Sequence, residues 1–295
     1  MATDPVIRPM VPADLPAAER LSAESFLELE RRTVPRSWPE PQVRSPGRAD
    51  QWLLRTGHFL RTDPDGCWVA EDDTGMLGFA TSYTRELLWV LATYAVRPGL
   101  QGRGLGRALL AAARHHGRGC LRGMLSSSSD PRAVRLYRLA GFSLHPQMLL
   151  VGEVDRSALP VGEGKVRDGT TGDRELMDSI DRRTRGAAHG LDHEVMLQMW
   201  RLLVTDTSTG SGYAFVAGDG TVQLLAATNR RTASRLLWEA LAGSTGRVEV
   251  HHVTAANEWA IDVGLAARLE VHQSGYLALR GMTPPTPYLH HGTFL

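Results

Sequence analysis

The order of predicted elements in the first half of the chain returns in the second, and this repetition confines the fold to architectures built from two copies of one unit. In the first copy a short strand at residues 6–8 leads into an amphipathic helix over 14–30, whose Leu15, Ala18, Leu21 and Phe26 fall near helical spacing. Strand-like runs follow at 67–71, 76–83 and 87–96, the first two split by the turn Asp72-Asp73-Thr74-Gly75. By pattern this is an antiparallel meander. A helix over 106–116 ends at Gly117 and Gly119, a strand covers 120–126, and Asp130 caps a helix that starts at Pro131 and stops at Gly141. In the second copy, helices over 173–185 and 194–203 precede strands 213–217 and 222–227, a helix 233–241, a strand 248–253, a helix 257–269 and a strand 276–280. A shift of 127 residues sets Ala233, Leu236 and Leu237 on Gly106, Leu109 and Leu110, and Asn257 and Ala260 on Asp130 and Ala133. The expectation is an α+β protein of two like domains, each a mixed, mostly antiparallel sheet flanked by helices. They take residues 1–153 and 173–283, joined by a charged linker at 154–172 and followed by a tail at 284–295.

A length of 295 residues suits two domains of about 150. The net charge of +1 argues against a nucleic-acid binder, which needs a concentrated basic face. Residues 1–150 carry +4 and residues 151–295 carry −3, and a mildly basic first half suits a phosphorylated small ligand. No run approaches the ~18 apolar residues of a membrane span, and the start, with Asp4, has no leader pattern, so the chain reads as cytoplasmic, without membrane contact. Cys67 and Cys120 form no CxxC pair and are expected as reduced thiols. The acidic face of the first helix, Glu19, Glu24, Glu28 and Glu30, reads as solvated.

The chemistry concentrates in Tyr94-Ala95-Val96, a strand end, and the glycine-rich run that follows it to Arg107. Unpaired N–H groups at a helix N-terminus, with no side chains in the way, seat phosphate oxygens. A P-loop requires Gly-Lys-Ser/Thr, but Arg107-Ala108 follows; a dinucleotide fingerprint requires a third glycine where Arg107 stands and an acid about 20 residues on, where serines lie. Both are disfavoured.

The remaining pattern, Gln101-x-x-Gly104-x-Gly106, is followed about 30 residues later by Asp130-x-x-Ala133-x-x-Leu136-Tyr137-x-x-x-Gly141-Phe142. Together they resemble the GNAT acyltransferase superfamily over residues 69–142, and the whole chain is similar to tandem GNAT proteins of actinobacteria. The resemblance implies acetyl-CoA as cosubstrate and no metal. It implies that Gln101, Gly102, Arg103, Gly104, Leu105, Gly106 and Arg107 wrap the pyrophosphate through backbone amides, and that Tyr94, Ala95 and Val96 hydrogen-bond the pantetheine arm. Asp130, where the family has Asn, would cap its helix or touch CoA. Tyr137 would protonate the leaving thiolate. The implied acceptor is a primary amine, on a small molecule or a peptide, attacking directly in a ternary complex; a non-catalytic acyl-CoA sensor or scaffold is the alternative.

The pattern departs from the family where a basic carboxylate often stands, since those places hold Val90 and Leu125. Glu86, Glu71 and His58 remain as candidate bases. In the second half Gly104 becomes Arg231 and Tyr137 becomes Gly264, so that domain is expected to bind no CoA. His189-x-x-x-His193 with Asp192 has a helical metal-ligand spacing but lacks the His-Glu-x-x-His order, and the serines at 126–129 lack Gly-x-Ser-x-Gly. The tail combines Pro284, Pro285 and Pro287 with apolar Tyr288, Leu289, Phe294 and Leu295, so it is expected to dock on the second domain. In a sharper version, its terminal carboxylate reaches the acceptor amine.

Overall fold

The structure, a computed structural model, describes residues 4–35, 38–161 and 165–295. Residues 36–37, and residues 162–164 within the expected linker, lie outside the described residues. The chain forms two compact units: residues 1–125 with 129–140, and residues 126–128 with 141–295.

Unit 1 contains β1 (Val6–Pro9), α1 (Leu15–Thr33), α2 (Pro46–Thr62), β2 (Cys67–Asp72), β3 (Gly75–Arg85), β4 (Leu88–Val96), α3 (Leu105–His116), β5 (Arg122–Ser127) and α4 (Pro131–Leu139). β1 to β4 pair antiparallel in succession, and β5 runs parallel to β4. Strand alternation sorts the covering helices. On one face, Phe59 of α2 stacks on Tyr83 with ring centroids 4.6 Å apart, and Trp52 meets Phe79 edge-on at 5.8 Å. On the other, Leu109 of α3 fills the space above Gly78, while Ser82 Oγ and Trp89 Nε1 donate to the Ala113 carbonyl.

A bulge then shapes the sheet. Thr81 pairs with Thr93 but Ser82 pairs with Leu91, so Ala92 is an extra residue in β4, and such bulges re-aim the strand that carries them. The parallel pairing of β4 with β5 runs from Leu88↔Arg122 to Leu91↔Leu125 and stops there. Beyond it β4 continues to Val96 on β3 alone, which opens a notch between the two parallel strands at the mouth of the glycine loop.

Unit 2 contains β6 (Ser143–Glu153), β7 (Arg167–Asp168), α5 (Arg174–Thr184), α6 (Asp192–Met199), β8 (Arg201–Thr207), β9 (Gly210–Val216), β10 (Val222–Ala227), α7 (Arg230–Ala242), β11 (Arg247–Thr254), α8 (Glu258–Ala266), β12 (Glu270–Arg280) and β13 (Tyr288–Leu289). Its sheet order is β12-β6-β11-β10-β9-β8-β7, antiparallel except where β10 and β11 run parallel. Two expectations change here. β6, read as the end of the first domain, pairs on both sides with strands of unit 2, and the units divide after Ala140 rather than after residue 153. Residues 201–203, read as the end of a helix, open β8; a short apolar run carries no periodicity that separates helix from strand.

The segment after β12 docks within unit 2, with Tyr288, Leu289, Phe294 and Leu295 buried. β13 pairs antiparallel with β10 (Leu225↔Leu289, Ala226↔Tyr288), just past the single parallel pair Val222↔Val250 of β10 and β11. In unit 2 the notch is therefore filled by the chain itself. Asn257 holds the segment from both sides, donating to the Pro285 carbonyl at 3.0 Å and accepting from the Tyr288 amide at 3.0 Å. Gln147 of β6 bridges His290 (2.6 Å) and His252 (3.2 Å), whose rings stack at 4.4 Å. Phe294 is fully buried, edge-on to Trp200. Phe294→Ala should cost about 3–5 kcal/mol of unfolding free energy in urea titrations; a loss below about 1 kcal/mol would show that the segment contributes little.

Candidate active site

The loop after β4 is braced from within. The Arg97 amide donates to Leu77 at 2.8 Å, its guanidinium reaches the Met76 carbonyl, and the Leu100 amide closes a turn on Arg97. The Gln101 side chain folds back, donating to the Val96 carbonyl at 3.1 Å and accepting from the Gly99 amide at 3.1 Å. Gln101 therefore holds the loop with its side chain and has only its backbone to offer a ligand.

Gly104 caps α3 in the left-handed region, with φ of 90°, and no side chain caps the helix. A Cβ on Gly104 would meet nothing within 4 Å, and no side chain takes the first-turn amides of α3 as a cap. Gly106 is glycine for a different reason: a Cβ there would lie 2.0 Å from the Tyr94 hydroxyl, which rests against the first turn of α3. Because the Arg97 amide bonds to β3, alternation turns the backbone of Tyr94 and Val96 into the notch and that of Ala95 toward β3. Ala95, expected on the pantetheine arm, has its backbone committed to the sheet.

α4 brings Tyr137 to the same place. Asp130 caps this helix, accepting from the Arg132 amide at 2.9 Å and pairing with the Arg132 guanidinium at 2.9 Å. Burial pushes the Asp130 carboxyl up, but the bonds from Arg132 outweigh it and hold the group below its ordinary value. Tyr137 is only 5% exposed, and its ring meets that of Tyr94 at 6.4 Å, close to edge-on. Burial, with Tyr94 and Asp130 alongside, pushes the Tyr137 phenol well above the usual tyrosine range, and burial pushes Tyr94 up to about 12. Between α3 and α4 lies a groove of about 180 Å³, lined by Arg107, Leu110, Arg114, Leu136 and Leu139 among others.

The candidate bases are not gathered there. Val90 and Leu125 are fully buried core residues. Glu86 sits exposed in the two-residue turn between β3 and β4, with φ of 51°; seven residues of extended chain, about 23 Å, separate it from Thr93 at the notch. That position removes Glu86 from the reacting groups. Glu71 is bound to Arg8 at 2.7 and 2.8 Å, and that hydrogen bond holds its carboxyl low. His58 is buried in α2 beside Phe59.

In unit 2 the spacing of His189 and His193 does gather a cluster, but around Asp181, not Asp192. The buried Asp181 carboxylate accepts from the Tyr213 hydroxyl (2.5 Å), His189 Nδ1 (2.8 Å) and His193 Nε2 (3.1 Å), while the Arg185 guanidinium contacts the other nitrogen of His189. Burial and Arg185 push His189 down to about 4. The result is a buried hydrogen-bond network centred on Asp181, with Asp178 as a second carboxylate 3.3 Å from His193 Nε2. Among the described residues, both cysteines are free thiols and no helix is long and apolar enough to cross a membrane.

Comparison with known proteins accords with this geometry. Residues 23–142 match the acetyltransferase (GNAT) family. Mycothiol acetyltransferase of Streptomyces avermitilis is 34% identical over 93 residues, which is 30% of this chain and 30% of that protein's length. Among solved structures, a GCN5-related N-acetyltransferase from Sphaerobacter thermophilus covers 100% of this chain and 99% of its own at a TM-score of 0.59 and 18% identity. A tandem GNAT protein from the clavulanic acid biosynthesis pathway covers 95% and 99% at 0.56 and 15%. The family match is confined to residues 23–142, and the solved structures show that the fold of the chain is similar to that of GNAT proteins.

Proposed function

We propose that unit 1 is an acetyl-CoA-dependent N-acetyltransferase that acetylates a primary amine by direct attack in a ternary complex. One observation carries the reading: an open, uncapped helix N-terminus adjoins a notch into which Tyr94 and Val96 turn their backbone and beside which Tyr137 is buried. Phosphate oxygens would take the amides of residues 102–107, and the pantetheine arm would lie along β4. The Val96 N–H polarises the thioester carbonyl. The amine nitrogen forms its bond to the carbonyl carbon and gives up one proton to solvent, the carbon–sulfur bond breaks, and the departing thiolate takes the Tyr137 proton, which solvent replaces.

The attacking amine must be neutral. About a tenth of an α-amino group is neutral at pH 7, against well under a thousandth of a lysine side chain. With apolar Val90 and Leu125 at the carboxylate places, an α-amine or another weakly basic amine fits best. The same two residues favour a second reading, an acyl-CoA sensor without turnover. Release of CoA from acetyl-CoA across a panel of primary amines decides between them: tight binding without turnover on any amine would favour the sensor.

Unit 2 should bind no acetyl-CoA. Only Thr228 and Asn229 join β10 to α7, and the Asn229 side chain caps that helix by accepting from the Thr232 amide at 2.9 Å. Gly264, the counterpart of Tyr137, packs so closely on Leu150 that a Cβ would lie 2.6 Å from it, and β13 fills the notch. Calorimetry should return one acetyl-CoA per chain; two would refute this assignment.

A further inference from the structure

The face of unit 1 opposite α3 carries a cationic cluster that the chemistry above leaves unused. Arg48, Trp52 and Arg55 recur at i, i+4 and i+7 on α2 and so share one face of that helix. Arg44 lies over the Trp52 ring at 5.9 Å and is pinned to α1, donating to Glu19 at 2.7 Å and to Ser22 Oγ at 3.0 Å. Ser25, one turn further along α1, has a buried hydroxyl without a hydrogen-bond partner, and the buried Nε of Arg55 also has none. Among the described residues no carboxylate pairs with Arg48 or Arg55, and Glu19 pairs with Arg44. Arg55 is half-buried and Arg48 exposed, so the cluster keeps an open side from which an anion outside the chain can pair with it. Burial, reinforced by Arg44 and Arg48, pushes Arg55 down to about 10, as expected where cations crowd without a counter-charge.

The cluster connects to the notch through Trp52. Trp52 packs on Phe79, which pairs with Ala95 at the notch end of β4. If the CoA arm enters from the α3 and α4 side, the amine approaches from the face that α1 and α2 cover. We propose that Arg55, with Arg48 and the Arg44–Trp52 pair, binds an anionic group on the acceptor, a carboxylate or a phosphate. The assignment rests on the acetyltransferase reading and names its substrate class: an amine that carries a negative charge.

Two measurements test it. The first uses inorganic phosphate and succinate as probes, titrated by calorimetry with saturating CoA present so that the glycine loop is already filled. Saturable binding of either anion to the wild type, lost in Arg55→Met and partly restored in Arg55→Lys, is expected; the anion that binds identifies the source. Equal binding in wild type and Arg55→Met, or none to the wild type, overturns the proposal. The second compares kcat/KM for amino acids with their amides, and for amino-sugar phosphates with the parent amino sugars. The anionic member of at least one pair should be preferred, and Arg55→Met should lower that preference about tenfold or more, the effect of one charge-assisted hydrogen bond. Turnover without any preference for the anionic member also overturns it. Anion binding that depends on Arg55, without turnover of any amine, would leave the anion site standing and count against the transferase reading alone.

Discussion

Gly104→Trp is expected to lower acetyl-CoA affinity by more than about a hundredfold while unit 1 stays folded. The glycine adopts φ of 90° and its missing Cβ faces open space, so an indole there extends into the volume where phosphate oxygens would meet the first-turn amides of α3. Those amides are the strongest fixed attraction for phosphate at the site, since no side chain caps the helix and the dipole adds to them. A left-handed non-glycine residue costs roughly 1–2 kcal/mol by itself, so Gly104→Ala serves as the control that carries the strain without the bulk. Calorimetry on the two variants separates the effects. Wild-type affinity in Gly104→Trp would show that the cofactor does not use this seat.

Tyr137→Phe should lower kcat by about 10²–10⁴ and leave the acetyl-CoA dissociation constant within a factor of a few. The phenol is buried against Tyr94, and burial raises its pKa, so the acid form persists at neutral and moderately alkaline pH. The sign of the pH dependence follows. As pH rises, the acceptor amine loses its proton and the wild-type rate climbs; the phenol does not ionise until above the ordinary tyrosine range, so no fall belongs between pH 7 and 9. A wild-type rate that declines in that interval, or an unchanged kcat in Tyr137→Phe, would remove Tyr137 as the acid.

Local chemistry makes much of this site legible in the sequence. The glycine loop, the Asp130 cap and the α4 tyrosine each lie within a few residues of the groups that define them, and their elements fall within about two residues of expectation. What stays hidden depends on partners far along the chain. α2 carries Pro46, Gly57 and three arginines that blur its apolar period, and its core face becomes visible only against Phe79 and Tyr83. Glu86 is close in sequence to the strand that carries the site, but the β3–β4 register sends it to the far end of that strand. The His189 and His193 spacing is legible while their carboxylate is not, because Asp181 arrives from α5, eight residues before His189. The filling of the notch in unit 2 depends on pairing residues 225–226 with 288–289, which no local pattern encodes.

The placement of β6 has a consequence for inheritance. The repeat that can be read along the sequence includes this strand in the first copy, yet its hydrogen-bond partners on both sides, β11 and β12, belong to the second. A recombination that exchanged the first copy at residue 153 would set a foreign strand between β11 and β12 of unit 2. An exchange between α4 and β6 would keep that sheet whole. The repeat read along the sequence and the exchangeable block therefore have different ends. Unit 2 thus depends on β6 in register, and Gly264 serves that packing, since a Cβ there would lie 2.6 Å from Leu150 of β6.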